Sequence, residues 1–239
     1  MKLNVFGSGE SVVAEKLGKL MRRDHNPLVG TTVSGGVVSI RIRGVFIGGK
    51  NGAREMRATA AEIRKRLGQN VFSEGDVSLA EVVGKMLRSA RKTVVTAESC
   101  TAGLLSALLT EMPGSSKYFL GGWVVYSNQM KTQNLFVPKA VIDREGAVSE
   151  LVARKMAEGA LERSNADYAL AITGIAGPDG GSPQKPAGTV WIALAQKKKR
   201  GANVYVEKKI FPGDRASVRE RAAKTALNIL RLHLLRFNL

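Results

Sequence analysis

The order of apolar and polar positions divides the chain into two parts with different sets of elements. In the first part, the pattern predicts a strand over residues 3–7, an amphipathic helix over 10–23, a hairpin over 29–47 and a helix over 52–67. A polar stretch over 69–78 follows, and such a stretch is typical of a domain boundary. The first part is therefore predicted to be a small α+β domain, residues 1–75.

The second part, residues 76–239, alternates strands and helices. Apolar runs predict strands over 93–96, 122–126, 167–173, 189–195 and 204–211, and helical spacing predicts helices over 79–88, over 149–163 and after Pro212. The run over 167–173 is apolar at nearly every position, as in a strand that is covered on both faces. This alternation predicts a three-layer α/β/α sandwich with a mixed sheet.

Two strand-to-helix joints carry the residues with the most chemistry. At the first joint, the strand over 93–96 gives way to leucines at helical spacing, which places Ser99 near a helix N-terminus. Unpaired N–H groups and the positive end of the helix dipole favour an oxyanion or a phosphate there. At the second joint, Tyr126 ends a strand and Lys131 lies in the next helix, so both side chains lean toward one pocket if the joints are neighbours. Ser99, Tyr126 and Lys131 then offer a nucleophile, a relay and a base, although a capping serine, a packed tyrosine and a solvated lysine fit the same pattern.

Histidine and cysteine are scarce. The chain has two histidines, His25 and His233, and neither is close in sequence to a candidate nucleophile, which argues against a Ser-His-Asp triad or a multi-histidine metal site. A single cysteine excludes an internal disulfide and a cysteine-based zinc site. Because no apolar run is long enough to cross a bilayer and no secretory signal follows Met1, we expect a cytoplasmic protein without membrane association.

The chain is strongly basic. Lysine and arginine number 37 against 20 aspartates and glutamates, a formal net charge of +17. Both predicted domains share the excess. A basic surface attracts an anionic mononucleotide, but it also binds nucleic acid or simply keeps a protein soluble.

Six motifs follow one another between Leu79 and Leu235: TAESCTAG, PGSSKYF, GGWVVYSNQMK, GAVSE, ITGIAGPDGG and KPAGTVWIALA. In this order they resemble the C-terminal domain of the CinA family, which includes the stand-alone nicotinamide-nucleotide amidases. Members of that family hydrolyse the carboxamide of nicotinamide mononucleotide (NMN) to nicotinate mononucleotide and ammonia. The resemblance implies that Ser99, Tyr126 and Lys131 are catalytic, that neither a metal nor a cofactor is needed, and that the protein is a homodimer.

The first part resembles, more loosely, the small KH-like middle domain of full-length CinA proteins, in FGSGESVVAEKLGKL and NPLVGTTVSGGVVSIRIR. Full-length members also carry an N-terminal domain related to molybdopterin-binding proteins, with a phosphohydrolase activity. Since Met1 opens directly on the small domain, we expect that activity to be absent.

The same resemblance implies a substrate-binding set: Cys100, Thr101, Gly114, Ser115, Ser116, Thr173, Gly174, Ala176, Gly177 and Arg215. The glycine-rich loop over 174–181 has backbone N–H groups that can cradle a phosphate or a ribose. Arg215 follows Asp214, a predicted helix N-cap, and an arginine in a first helical turn suits a phosphate. One departure is Ala102, where the family usually has glycine, because its methyl group could crowd a ligand.

The predicted mechanism is amide hydrolysis by an acyl-enzyme route. Lys131, with a pKa lowered by burial and neighbouring positive charge, takes the proton of Ser99 directly or through the Tyr126 hydroxyl. The N–H groups of Cys100 and Thr101 hold the oxyanion. Direct attack by water, with Ser99 only orienting the substrate, stays open. Cys100 is the less favoured nucleophile because no histidine is near it in sequence.

Two other functions fit the sequence. The first is a basic nucleic-acid-binding protein that uses the small domain. The segment Gly49–Gly52 matches the G-x-x-G loop of KH modules, but it is predicted to join a strand to a helix and not two helices, so a chance match is favoured. Few aromatic residues, 5% of the chain, also argue against nucleic-acid binding. The second is a degenerate amidase that binds a pyridine mononucleotide without turning it over, on account of Ala102.

Overall fold

The computed structural model describes residues 1–46 and 52–237. It divides into two compact units, the first ending at Val82 and the second beginning at Val83. This division falls inside a helix, a few residues beyond the predicted boundary at residue 75. Each unit has its own sheet.

The small unit is an antiparallel sheet with two helices. Its elements are β1 (Lys2–Val5), α1 (Glu10–Leu17), β2 (Leu28–Ser34), β3 (Val37–Arg43), α2 (Gly52–Leu67) and β4 (Val71–Glu74). The strand order is β2-β3-β1-β4, with every pair antiparallel. Alternate residues of β3 turn inward and meet the apolar faces of both helices: Val38, Ile40, Ile42, Val13, Leu17, Ile63 and Leu67. The predicted small α+β domain is confirmed.

Three details of the small unit differ from, or sharpen, the sequence-based prediction. The first helix ends at Leu17 instead of residue 23, because Gly18 adopts a φ of 49° and a short 3₁₀ helix follows. Strand β4 was missed, since polar residues surround its four positions and made the segment resemble a linker. The predicted hairpin turns at Gly35 and Gly36, and both have positive φ, as a two-residue turn of this hand requires.

The G-x-x-G segment lies outside the described residues, apart from Gly52, the first residue of α2.

The large unit is built on a five-stranded mixed sheet. Its elements are α3 (Leu79–Ala90, whose first turn belongs to the small unit), β5 (Val94–Glu98), α4 (Leu104–Thr110), β6 (Phe119–Val124), α5 (Asn128–Leu135), α6 (Lys139–Glu145), α7 (Glu150–Ser164), β7 (Tyr168–Gly174), β8 (Thr189–Lys197), β9 (Ala202–Ile210) and α8 (Arg215–Phe237). The strand order is β6-β5-β7-β8-β9. Strands β5, β6 and β7 are parallel, and β8 and β9 run antiparallel to their neighbours.

Helices cover both faces of this sheet. Small residues at alternate positions of β5, β7 and β8 pack against α7: Val95, Ala97, Ala169, Ala171, Ala193 and Ala195. The intervening positions of β7 and β8 are also buried, α8 packs on these two strands, and α4 packs on α8. The predicted three-layer α/β/α arrangement with a mixed sheet is therefore confirmed, including the strand that is covered on both faces.

Two elements of the large unit correct the prediction. Helix α6 follows Pro138 and is not among the helices predicted from the sequence. Strand β6 ends at Val124, so Tyr126 lies beyond the strand and not at its last position. The predicted cap of α8 is present, since Asp214 accepts from the Ser217 N–H at 2.8 Å. Ser149 caps α7 in the same way and accepts from the Val152 N–H at 3.4 Å.

No helix within residues 1–46 and 52–237 is both long enough and apolar enough to cross a membrane.

Candidate active site

The candidate site lies at the carboxyl ends of two adjacent parallel strands, β5 and β6, whose following connections run to opposite faces of the sheet. Strand β5 leads into α4, which packs with α8, whereas β6 leads through α5 and α6 into α7 on the other face. Adjacent strands whose connections leave to opposite faces open a crevice at their carboxyl ends, and α/β proteins bind ligands there. Ser99 follows β5 and Tyr126 follows β6, so the sheet order brings the two predicted joints side by side.

Ser99 begins a tight turn between β5 and α4. Its N–H donates to the Ile172 carbonyl of the neighbouring β7 at 2.9 Å, and its carbonyl accepts from the Ala102 N–H at 3.1 Å. The residue is 7% exposed. Ala102 and Gly103 then take positive φ values of 49° and 91°. Two successive left-handed residues turn the chain sharply into α4, and the first of them is the alanine that departs from the family pattern.

Glu98 occupies the N-terminus of α4. Its carboxylate is fully buried and accepts from the N–H groups of Gly103, Leu105 and Ser106 at 2.8–3.0 Å and from the Ser106 hydroxyl at 2.7 Å. Anionic side chains are favourable at this end of a helix. The expectation that these donors await a ligand is therefore wrong for the helix itself, because Glu98 already uses them.

Two backbone donors of the turn stay available for an oxyanion. Within the described part of the chain, the N–H groups of Cys100 and Thr101 donate to no other residue. The Thr101 hydroxyl oxygen is likewise buried without a hydrogen-bond partner among these residues. The N–H groups of Cys100 and Thr101 can therefore still donate to an oxyanion, whereas those at the start of α4 already donate to Glu98.

Lys131 is a buried amine without an acidic partner. The residue is 1% exposed, and its Nζ donates to the main-chain carbonyl of Tyr126 at 2.9 Å. No carboxylate forms an ion pair with it among the residues that the structure describes. Burial lowers the pKa of Lys131 below its ordinary value of 10.5, and the nearby Cys100 thiol works in the opposite direction. A lysine in this situation releases its proton more easily and can act as a base.

Cys100 is unsuited to act as a nucleophile. It is buried, and burial raises the pKa of its thiol to about 11, although Arg215 and Arg219 oppose the shift. The thiolate is the reactive form, and at neutral pH it is a small fraction of this cysteine.

Tyr126 and Arg215 meet at the open side of the crevice. Tyr126 is 57% exposed, and its hydroxyl accepts from an Arg215 guanidinium nitrogen at 3.0 Å. The other guanidinium nitrogen of Arg215 donates to the Gly177 carbonyl at 3.1 Å. The predicted relay hydroxyl is thus held by Arg215, while Lys131 bonds to the backbone of the same tyrosine.

Arg219 was not included in the predicted set. One of its terminal nitrogens donates to the Thr101 carbonyl at 2.9 Å, and its Nε is buried with no partner in the described chain. It lies one helical turn after Arg215, so both arginines project toward the turn from the same face of α8. That spacing was visible in the sequence, but nothing local linked α8 to a turn more than a hundred residues earlier.

The residues after β7 form the third wall. The Thr173 hydroxyl donates to the Ala147 carbonyl at 2.8 Å, and Ala176 is buried. A Cβ atom at Gly174 would lie 2.7 Å from a Val190 methyl carbon, so this position needs glycine for close packing. Of the predicted binding residues after β7, Gly177 contacts a candidate binding side chain, because its carbonyl accepts a hydrogen bond from Arg215.

Gly114, Ser115 and Ser116 lie elsewhere. They follow α4 and precede β6, which places them at the amino edge of the sheet, whereas Ser99 lies at the carboxyl edge. Within one chain the structure does not bring these three residues to the crevice. In the described parts of the chain, no cluster of three or more His, Cys, Asp or Glu residues could hold a metal ion.

Comparisons with known proteins cover both units of the chain. Residues 76–234 match the CinA C-terminal domain, and residues 2–73 match the damage-inducible protein CinA KH domain. A putative competence-damage inducible protein of Symbiobacterium thermophilum is 42% identical over 98% of this chain, and a CinA-like protein of Dictyoglomus thermophilum is 40% identical over 98%. The chain spans 56% of the length of each of these relatives.

Solved structures cover the larger part of the chain. A competence/damage inducible protein from Agrobacterium tumefaciens matches with a TM-score of 0.63 and 40% identity, over 68% of this chain and 97% of its own. A CinA superfamily protein from Klebsiella pneumoniae matches with a TM-score of 0.63 and 33% identity, over 68% of this chain and 99% of its own.

Proposed function

This chain belongs to the CinA family, and we propose that it is a nicotinamide-nucleotide amidase that hydrolyses NMN to nicotinate mononucleotide and ammonia. The observation that carries the proposal is Lys131, a buried amine at the crevice with a lowered pKa and no acidic partner among the described residues. Burying a lysine without a counter-ion is costly, so it is typical of a functional group. The Ser99 turn follows the neighbouring strand.

The chemistry proceeds in two stages. Lys131 takes the proton of the Ser99 hydroxyl as the oxygen attacks the carboxamide carbon, and the Cys100 and Thr101 N–H groups stabilise the resulting oxyanion. The carbon–nitrogen bond then breaks, and the leaving ammonia carries away the proton held by Lys131. In the second stage, water gives a proton to Lys131 as it attacks the ester. Collapse of that intermediate returns the proton to Ser99 and releases the carboxylate product.

The arginines of α8 support an anionic substrate. The described contacts of Arg215 and Arg219 are to carbonyl and hydroxyl oxygens and not to carboxylates. A substrate phosphate would supply the missing negative charge and can accept two parallel hydrogen bonds from a guanidinium group. We therefore assign Arg215 to the phosphate and Tyr126 to its orientation, and the proton moves directly between Ser99 and Lys131.

Ammonia release from NMN tests the proposal. Ser99→Ala and Lys131→Met should each lose at least about a hundredfold in kcat/KM, because each removes a group that acts in the transition state. Ser164→Ala and Lys139→Met are matched controls and should retain activity, because the Ser164 hydroxyl donates to the Ala160 and Leu161 carbonyls and Lys139 donates to Asp143. Wild-type protein that releases no ammonia, or a Lys131→Met variant that keeps full activity, would refute the assignment.

The phosphate assignment has its own test. Arg215→Gln should lower kcat/KM for NMN about tenfold or more, since charge-assisted bonds to phosphate are strong. It should leave turnover of nicotinamide riboside, which has no phosphate, nearly unchanged. An equal loss on both substrates would mean that Arg215 supports the Gly177 loop and does not bind the phosphate.

Two routes to the product are separable. If Ser99 forms an ester, hydroxylamine should intercept it and yield a hydroxamate of the nucleotide. If Ser99 only orients a water molecule, hydroxylamine should leave the products unchanged at low concentration. A pre-steady-state burst of ammonia would support the ester route.

A homodimer is part of the proposal. Strand β6 is an edge of the large sheet, and two of its apolar side chains, Leu120 and Val124, are 52% and 50% exposed. An apolar edge strand favours association with a second copy. Leu120→Lys should therefore shift the mass measured in solution from dimer to monomer, and a wild-type monomer would contradict the idea.

Nucleic-acid binding is the second candidate function, and the observation in its favour is the net charge of +17. Its signature is a gel shift that weakens steeply with salt. It takes precedence if the protein shifts oligonucleotides near physiological salt while NMN gives neither ammonia nor a rise in melting temperature.

A further inference from the structure

A basic cavity lies at the opposite edge of the large sheet from Ser99. It has a volume of about 470 Å³ and is lined by Lys85, Arg88, Ser89, Arg91 and Lys117. Four of these five residues are cationic and none is acidic. The end of α3 contributes Lys85, Arg88 and Ser89, and Arg91 follows this helix directly. The turn before β6 contributes Lys117.

This cavity is separate from the crevice. Arg91 precedes β5 and Ser99 follows it, so the five residues of the strand lie between them. At roughly 3.3 Å per residue, the two sites are about 17 Å apart. A group bound at one site does not reach the other.

Three of the four cations of the cavity lack acidic partners among the described residues. Arg88, Arg91 and Lys117 form no ion pair in the described chain, whereas the adjacent Lys92 pairs with Asp167 at 2.8 Å. Several like charges around one concave space repel one another. A bound anion relieves that repulsion.

Arg91 sits at a position that costs backbone energy. It follows the last residue of α3, and its N–H donates to the Arg88 carbonyl at 3.1 Å, while the Lys92 N–H donates to the Leu87 carbonyl at 2.9 Å. Glycine is the usual residue in this helix-ending motif because the conformation is left-handed, and Arg91 has a φ of 53°. Arg91 therefore occupies a position at which the backbone conformation favours glycine.

We propose that this cavity binds the polyphosphate group of a small phosphorylated ligand. The volume is within the range of ligand sites, and the charge matches a di- or triphosphate. The lining contains no aromatic side chain on which a base could stack, and its concave shape suits a compact anion better than a nucleic-acid strand. Recognition thus rests on the phosphates.

The test is calorimetric titration of the full chain with inorganic tripolyphosphate. The double variant Arg88→Gln with Lys117→Gln should weaken binding about tenfold or more, because it removes two of the four cations. Lys199→Gln with Arg200→Gln makes the same change in charge on the connection between β8 and β9 and should stay within about twofold of wild type. Arg215→Gln should also bind normally, which excludes the crevice as the binding site.

Arg91→Gly separates binding from folding. It should weaken tripolyphosphate binding and at the same time raise the melting temperature by about 2–4 °C, since glycine removes the left-handed strain. Lower affinity in a more stable protein cannot come from unfolding.

Several outcomes would overturn the proposal. One is wild-type protein that shows no binding at about 1 mM tripolyphosphate. Others are equal weakening in the two double variants, which would indicate general charge attraction, and loss of binding in Arg215→Gln, which would place the anion in the crevice. Single-stranded DNA binding that the cavity variant abolishes, with tripolyphosphate binding unchanged, would assign the cations to nucleic acid.

Discussion

Replacing Lys131 with methionine is expected to abolish hydrolysis and to change how stability depends on pH. Lys131 is buried, and burial holds its pKa below the ordinary value of 10.5. The unfolded chain keeps this proton up to about pH 10.5, whereas the folded protein releases it at a lower pH. Between those two values the unfolded state binds more protons, so the stability of the wild type rises with pH.

The magnitude follows from the size of the shift. Each pH unit by which burial lowers the pKa of Lys131 destabilises the wild type by about 1.4 kcal/mol at pH values below the folded pKa. This loss of stability disappears by about pH 10.5. Methionine has a similar length and no charge, so its variant lacks this penalty. The variant also lacks the hydrogen bond to the Tyr126 carbonyl, which costs about 1–3 kcal/mol. The free energy of unfolding of the variant, minus that of the wild type, should therefore fall as the pH rises to about 10.5. The fall should be about 1.4 kcal/mol for each pH unit by which burial lowers the pKa of Lys131.

Urea denaturation followed by tryptophan fluorescence measures this difference. Both tryptophans, Trp123 and Trp191, belong to the large unit, so the signal reports on the unit that contains Lys131. Lys139→Met, at an exposed lysine that pairs with Asp143, is the control and should show no comparable pH trend. A pH-independent difference for Lys131→Met would refute the reasoning, because Lys131 would then keep its proton and could not act as a base. The kcat/KM of the wild type should rise with pH through the same folded pKa.

Three further predictions concern the turn beside the crevice. Ala102→Gly should stabilise the protein by about 1 kcal/mol, seen as a melting temperature about 2–4 °C higher, because Ala102 has a φ of 49°; an unchanged or lower melting temperature would contradict the strain. Glu98→Gln should destabilise the large unit by about 3 kcal/mol in urea denaturation, since an amide cannot accept the four hydrogen bonds that the carboxylate accepts; a loss below about 1 kcal/mol would mean that the cap is dispensable. Cys100 should react with iodoacetamide far more slowly in the native protein than in urea at pH 8, because burial raises its pKa to about 11; equal rates would contradict that protection.

The pairing of the two joints could be predicted because it depends on local signals. A β-branched run that leads into helical spacing indicates a strand-to-helix joint, and parallel neighbours place such joints at one edge. Ser99 and Lys131 were placed correctly at this level. Gly114 to Ser116 were assigned to substrate binding from the family resemblance, without counting elements. One helix separates them from Ser99, so the chain has already returned to the amino edge of the sheet.

Other contacts had no local signal. Arg219 reaches the Thr101 carbonyl across 118 residues, and Arg215 reaches the Tyr126 hydroxyl across 89. Such bonds follow from where α8 packs, and the packing depends on the whole sheet. Strand β4 was lost for a related reason, because its four residues are held by pairing with β1 and not by an apolar pattern of their own.

The two buried charges of the site show why sequence position alone does not decide function. Glu98 and Lys131 follow the same rule, that a buried charge needs partners. Glu98 points toward the start of α4, where four donors satisfy it, so it stabilises the turn and is not available for catalysis. Lys131 meets only a carbonyl oxygen in the described structure, so burial acts on its pKa instead. Glu98 takes its hydrogen-bond partners from the turn and the first residues of α4, whereas Lys131 has its described bond to the connection before α5. The partners, and not the sequence positions, therefore divide the roles between a structural acid and a titratable base.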